Sequence, residues 1–146
     1  MELFKLPEEL DKALCKNIPE ILCLSNYAWN LQIANTFAKA AKKEKPNLII
    51  VFGGPNFPDS EEERTLFLKK YSSIDFYIIG EGEEGFVSLF KKLKEFGMNS
   101  AQLQKQKEKV QNCAYVLEDE LIIGERARIN NLNHVPCPYQ MGILDQ

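Results

Sequence analysis

The sequence predicts an α/β fold: a parallel sheet flanked by helices, followed by a C-terminal β-hairpin and an extended arm. Three observations carry this reading. The apolar runs Leu22–Leu24, Leu48–Phe52 and Phe76–Ile79 have the length and composition of strands rather than helices. Each runs into an unusual loop: Ser25-Asn26-Tyr27-Ala28-Trp29-Asn30, Gly53-Gly54-Pro55 and Gly80-Glu81-Gly82-Glu83. Each loop precedes a segment with helical features, and strands alternating with helices form right-handed β-α-β units.

The elements follow in order. Pro7 through Asn17 reads as a short helix, with proline in the first turn, acidic Glu8, Glu9 and Asp11 near the positive helix end, and Leu10 and Leu14 four apart. Pro19 stops it. Ile21-Leu22-Cys23-Leu24 is continuously apolar, as expected of a strand buried on both faces, with Cys23 acting as a small hydrophobe. Trp29, Ile33 and Phe37 recur every four residues beside Ala34, Ala38 and Ala41, predicting an amphipathic helix from about Asn30 to Lys43, terminated by Pro46. Leu48-Ile49-Ile50-Val51-Phe52 is the strongest strand and reads as central. Ser60 and Glu63 have capping-box spacing, so a helix starts there and runs to about Tyr71. After the strand Asp75–Ile79, Phe86, Leu89, Phe90, Leu93 and Phe96 mark one face of a helix that starts near Glu84 or Gly85 and is closed by Gly97.

Beyond Gly97 the pattern changes. Residues 98–112 are polar and read as a connection or a weakly packed helix. Cys113–Leu117 and Leu121–Ile123 form a hairpin around Glu118-Asp119-Glu120, although the turn lacks its preferred glycine. Residues 130–146 carry Pro136 and Pro138 without periodicity and read as an arm appended to an α/β domain of residues 1–129. Three parallel strands and a hairpin make a small sheet, and the chain starts just before a buried strand. The expectation is a fragment or a divergent minimal version of a larger sheet.

With 146 residues, 45% of them hydrophobic and 27% charged, the chain suffices for one domain with a real core and leaves no room for a second. A formal net charge of -3 argues against a nucleic-acid surface. The lysine groups at 42, 43 and 45, at 91, 92 and 94, and at 105, 107 and 109 read as solvated helix faces or polar connections. The four cysteines, Cys15, Cys23, Cys113 and Cys137, are widely spaced, with no C-x-x-C or Cys/His cluster, and read as reduced thiols. The amino terminus has no signal-peptide pattern, and no stretch approaches membrane-spanning length, so the expectation is a cytoplasmic protein without membrane or nucleic-acid partners.

Ligands of open parallel sheets bind beyond the carboxyl ends of the strands, so the three loops are expected to share one ligand. Gly53-Gly54-Pro55 is either a tight turn or a close approach of backbone to ligand, and the second reading predicts that Gly54→Val abolishes binding while leaving the fold intact. Gly80-Glu81-Gly82-Glu83 leads into a helix start whose free amides suit polar groups; Glu81, Glu83 and Glu84 would repel an anion, which favours neutral amides as partners. Acid/base or metal chemistry by these glutamates has little support, since no histidine or aspartate lies near them in sequence. Trp29, the single tryptophan, fits equally as helix core and as the wall of a flat ligand site. His134, the single histidine, falls in the arm and reads as exposed.

The ordered set Leu24-Ser25-Asn26-Tyr27-x-Trp29-Asn30, Val51-Phe52-Gly53-Gly54-Pro55-Asn56, Asp75-Phe76-Tyr77-x-x-Gly80-Glu81-Gly82-Glu83 and Val135-Pro136-x-Pro138-Tyr139 resembles the cobalamin-binding domain ahead of the catalytic barrel in cobalamin-dependent radical S-adenosylmethionine enzymes. The resemblance runs from about Pro19 to the end of the chain. It implies a flavodoxin-like, Rossmann-type sheet with the corrinoid over the strand ends and its nucleotide tail inserted along the sheet. It also implies ligand contacts at Ser25, Asn26, Tyr27, Trp29, Gly53, Gly54, Pro55, Glu81, Gly82 and Glu83, and an arm leading into a radical domain.

Two departures bound the resemblance. The family's first strands are not visible, and the chain has no C-x-x-x-C-x-x-C motif, so S-adenosylmethionine and a 4Fe-4S cluster are expected only in a further domain of the parent polypeptide. The Asp-x-His-x-x-Gly motif that supplies a lower cobalt ligand in classical corrinoid proteins is also missing, which implies a base-off, His-off corrinoid. The reading is a non-catalytic cofactor module of a methyltransferase-type enzyme. The alternatives are an interaction domain that has lost its cofactor and a nucleotide-binding α/β domain, the latter without a phosphate-binding lysine motif.

Overall fold

The computed structural model describes residues 2–128 together with Cys137 and Met141. The arm expected over residues 130–146, including His134, Pro136, Pro138 and Tyr139, lies outside the described residues apart from those two positions. The elements are α1 (Pro7–Lys16), β1 (Ile21–Ser25), α2 (Leu31–Glu44), β2 (Ile49–Gly53), α3 (Glu61–Lys70), β3 (Phe76–Ile78), α4 (Gly82–Glu95), α5 (Ser100–Lys105), β4 (Cys113–Leu117) and β5 (Glu120–Ile123). The strands form one mixed sheet in the order β1-β2-β3-β4-β5. The first three run parallel, and the β4–β5 hairpin adds antiparallel to β3.

Alternation along the strands splits the core in two. Leu22, Ile50, Phe52, Tyr77 and Ala114 point to a face covered by α2 and α3, with Leu10 and Leu14 of α1 packed at its margin. Ile49, Val51, Phe76, Ile78, Cys113 and Tyr115 point to the other face, beneath Leu89 and Leu93 of α4 and Leu103 of α5. Only β2, with neighbours on both sides and helices on both faces, is buried through its first four residues. Asp75 anchors the base of this region: one carboxylate oxygen accepts from the Ile50 amide at 2.7 Å, and the other accepts from Lys42 at 2.6 Å. Burial pushes the Asp75 carboxyl above its ordinary value, against the opposing effects of those two donors.

The two-face burial expected of β1 does not hold. It is an edge strand: Leu22 is buried, but Cys23 is exposed, because α4 and α5 pack over β2–β4 and on that face of β1 only Ile21 packs, partly buried, against their cluster. The apolar stripe of α2 also differs. Ala34, Ala38 and Ala41 are buried, whereas Trp29 is 79% and Ile33 50% exposed. Small side chains at i, i+4 and i+7 let the helix lie close on the sheet, which turns the larger residues one step around the axis outward. The polar 98–112 stretch contains the short helix α5, held by the fully buried Leu103. The hairpin turn forms without glycine by placing Glu118 (φ 47) and Asp119 (φ 71) in the left-handed region, as a two-residue primed turn requires.

Capping follows the sequence. Ser60 Oγ accepts from the Glu63 amide at 3.2 Å, and its hydroxyl donates to the Glu63 carboxylate at 2.9 Å. Gly97 (φ 60) follows α4, where Met98 N donates to Leu93 O at 2.7 Å. Helix α4 starts at Gly82, two or three residues earlier than the expected Glu84 or Gly85, because its first turn is polar and exposed. No helix among the described residues is long and apolar enough to cross a membrane.

Candidate functional site

Parallel pairing brings the three strand ends level. Ser25 pairs with Gly53, and Gly53 pairs with Ile78, so the three following loops leave the sheet on the same edge. A buried hydrogen-bond network then ties the first two loops to each other and to Tyr77 of β3. Asn26 N donates to Gly53 O at 2.7 Å, and Asn56 N donates to Asn26 O at 3.3 Å. The Asn26 amide group donates to Asn56 O at 2.7 Å and to the Tyr77 hydroxyl at 2.9 Å, and its Oδ1 accepts from Asn56 Nδ2 at 3.1 Å. The Tyr77 hydroxyl donates to Gly54 O at 2.9 Å, while its ring stacks on Phe57 with centroids 3.8 Å apart. Asn26 and Tyr77 are both fully buried.

This network explains Gly54. With φ at 131, and with a Cβ there lying 2.5 Å from Asn26 O, only glycine lets the second loop pass the first. The close approach is therefore of backbone to backbone. In contrast, a Cβ on Gly82 would meet nothing within 4 Å, and one on Gly80 (φ 76) only Arg126 Nε at 3.9 Å. The third loop presents bare backbone to open space.

Tyr27, Gly54, Pro55 and Gly80, from all three loops, line one cavity of about 440 Å³, with Tyr77 and Ile79 also lining it. Beside it Trp29 stacks on Tyr27, with ring centroids 4.7 Å apart and planes 16° apart, forming an exposed aromatic platform. Asn30 holds that loop in shape: its Oδ1 accepts from Tyr27 N at 2.8 Å and its Nδ2 donates to Ser25 Oγ at 2.9 Å. Glu81 is the N-cap of α4, and Gly82 and Glu83 sit exposed in its first turn, where carboxylates complement the helix end.

The loops of the predicted set thus gather at one edge, but they divide by role. Tyr27, Trp29, Gly54, Pro55, Glu81, Gly82 and Glu83 face the edge or its cavity. Ser25 is bonded to Asn30, Gly53 is held in the sheet against Ile78, and Asn26 is turned inward with its side chain committed to protein groups. Sequence reasoning missed Tyr77, Asn56, Arg64 and Arg126. Tyr77 reads only as one more apolar strand residue, and its position opposite Phe52 is the signal that its side chain shares the Asn26 face.

Burial pushes the Tyr77 phenol up to about 12 from its ordinary value of 10.0, with the Asn26 hydrogen bond opposing. The folded chain holds that proton more tightly than the unfolded chain. Its contribution to stability is therefore fully present below pH 10.0 and lost as pH rises toward about 12. In urea unfolding across that window, Tyr77→Phe should lose less stability than the wild type. An identical loss would exclude the phenol as a source.

The level strand ends, the braced loops and the cavity between them define a ligand-binding α/β domain that takes its ligand at the carboxyl edge of the sheet. The model of the B12 binding domain family matches residues 1–90, a stretch that contains all three loops. The chain belongs to the B12 binding domain family, and its five-stranded mixed sheet flanked by helices agrees with the flavodoxin-like form expected for it. Over 129 residues it is 31% identical to the cobalamin-dependent radical SAM methyltransferase TokK of Streptomyces tokunonensis, covering 87% of this chain and 17% of that protein. Over 128 residues it is 27% identical to 2-(S-pantetheinyl)-carbapenam-3-carboxylate methyltransferase of Streptantibioticus cattleyicolor, again covering 87% of this chain and 17% of the relative.

Proposed function

We propose that this chain is the cobalamin-binding module of a radical S-adenosylmethionine enzyme of methyltransferase type, and that it holds the corrinoid over the carboxyl ends of β1, β2 and β3. The observation that carries the reading is the buried Asn26–Asn56–Tyr77 network, which locks the first two loops onto β3 beside a cavity that Gly80 of the third loop also lines, in a chain of the B12 binding domain family. The residues suit the cofactor. A corrinoid is a broad, mainly apolar ring edged with neutral amide arms. The Tyr27–Trp29 pair offers apolar surface, Glu81 and Glu83 accept from amide NH2 groups, and the free amides of α4 donate to amide carbonyls.

Tyr27, Trp29, Gly54, Pro55, Glu81, Gly82 and Glu83 then form the contact set, while Ser25, Asn26 and Gly53 brace it from below. No histidine occurs in the three loops, so nothing in them offers an imidazole to the lower face of cobalt, and the bound state is base-off and His-off. The corrinoid supplies methyl transfer when bound; S-adenosylmethionine and the 4Fe-4S cluster act from a separate catalytic domain of the parent polypeptide. Residues 1–129 form the module, and residues 130–146 form its connection to that domain.

Titration of the chain with hydroxocobalamin, followed in the visible spectrum, tests the reading. Saturable binding with a shift to the base-off spectrum is expected. A spectrum unchanged by excess protein would leave the cofactor-free interaction domain as the better account.

A further inference from the structure

We infer that the strand-end cavity contains a phosphate subsite formed by Arg64 and Arg126, and that the group it takes is the phosphodiester of the corrinoid's nucleotide tail. This rests on the corrinoid reading above. Both arginines line the same cavity as Gly54 and Gly80. They come from opposite ends of the chain's topology, α3 and the segment after β5; Arg64 is held by contacts of its own side chain, and Arg126 by the bonds of its backbone neighbours.

Arg64 Nε donates to Pro58 O at 2.7 Å, and its guanidinium carbon lies 5.3 Å from the centre of the Phe57 ring, which restrains the head without neutralising it. Arg126 is positioned by a buried clamp. Asn112 Nδ2 donates to Ala127 O at 3.0 Å, Ala127 N donates to Asn112 Oδ1 at 2.8 Å, and Asn112 N donates to Glu125 O at 3.0 Å. Residues on both sides of Arg126 are therefore fixed, and its Nε reaches to 3.9 Å from where a Gly80 Cβ would stand. Gly124, next along, packs so closely that a Cβ there would overlap Val110 O, which locks the path of this segment.

Charge decides the ligand chemistry. Among the lining residues, Asp59 is the one carboxylate against two guanidinium groups, and no ion pair among the described residues involves either arginine. The glutamates of α4 are not part of this lining. Neutral amide arms do not call for an excess of positive charge, whereas a phosphodiester carries one full negative charge that planar guanidinium groups bind with paired N–H donors. It is the anionic group on the periphery of cobalamin.

The experiment compares hydroxocobalamin with diaquacobinamide, which keeps the corrin ring and its amide arms but lacks the nucleotide tail and its phosphodiester. Wild-type protein is expected to bind hydroxocobalamin about tenfold more tightly at low salt. Arg126→Met, and Arg64→Met with Arg126→Met, should lower that ratio while leaving cobinamide affinity unchanged. Arg126 is exposed, so the single variant tests the idea even if the double variant is unstable. Inorganic phosphate should compete with hydroxocobalamin and not with cobinamide.

A wild-type ratio near one, or a ratio that survives both variants, overturns the subsite while leaving the corrinoid reading in place. Failure of the wild type to bind either corrinoid overturns both the corrinoid reading and the tail assignment. Thermal stabilisation by phosphate that is lost in Arg126→Met would then assign the two arginines to a phosphate ester from another source.

Discussion

Gly54→Val is expected to cost more than about 3 kcal/mol of folding stability and to eliminate hydroxocobalamin binding with it. A β-branched residue cannot adopt φ 131 without strain, and its Cβ would lie 2.5 Å from Asn26 O. Relief requires the first two loops to separate, which breaks the Asn26 N to Gly53 O and Asn56 N to Asn26 O bonds that hold them. This outcome corrects the sequence-only expectation of a binding defect in an intact fold, because Gly54 is required by a neighbouring strand end rather than by the ligand. Gly82→Ala is the control. Its Cβ meets nothing within 4 Å, and alanine favours a helix start, so stability should hold within about 1 kcal/mol. Urea unfolding of both variants checks the contrast, and equal stabilities would remove the loop-packing account.

Asn26→Leu is expected to destabilise the chain by about 3 kcal/mol, although it conserves side-chain size. Three polar groups lose their partner at once: Asn56 O, Asn56 Nδ2 and the Tyr77 hydroxyl as acceptor. Leaving such groups buried and unpaired costs more than the net worth of each bond. Tyr77→Phe removes only the donated bond to Gly54 O and the accepted bond from Asn26, and should cost about 1–2 kcal/mol. The two substitutions share one bond, so the double variant should be more stable than the sum of the single losses implies. Strict additivity would show that Asn26 and Tyr77 act separately. Loss of corrinoid binding by Asn26→Leu without loss of stability would return Asn26 to the ligand-contact set.

Much of the architecture was legible because local patterns and tertiary packing agree. The β2 run is apolar on both faces and is buried on both, the Ser60 and Glu63 pair caps α3 as its spacing indicates, and Gly97 ends α4 with a positive φ. The discrepancies fall where a long-range neighbour decides. Cys23 lies in an apolar run, yet it is exposed because sheet order puts β1 at the edge. Trp29 and Ile33 continue one apolar spacing from the preceding loop into α2, yet alanines face the sheet because close packing rewards fit over side-chain size. The hairpin turn forms without glycine because strand pairing on either side holds Glu118 and Asp119 in place.

The candidate site divides in the same way. Strand-loop-helix periodicity in the chain is enough to dictate that three loops exist and that parallel strands send them to one edge, since those are consequences of short-range pattern and of chain handedness. Which side chains brace that edge and which look outward is a matter of contacts between residues far apart in sequence, as Asn26 with Tyr77 and Asn112 with Ala127 illustrate. No local pattern encodes a hydrogen bond across 51 positions, and the meeting of Arg64 with Arg126 in one cavity arises only when α3 and the end of the hairpin fold over the same strand ends.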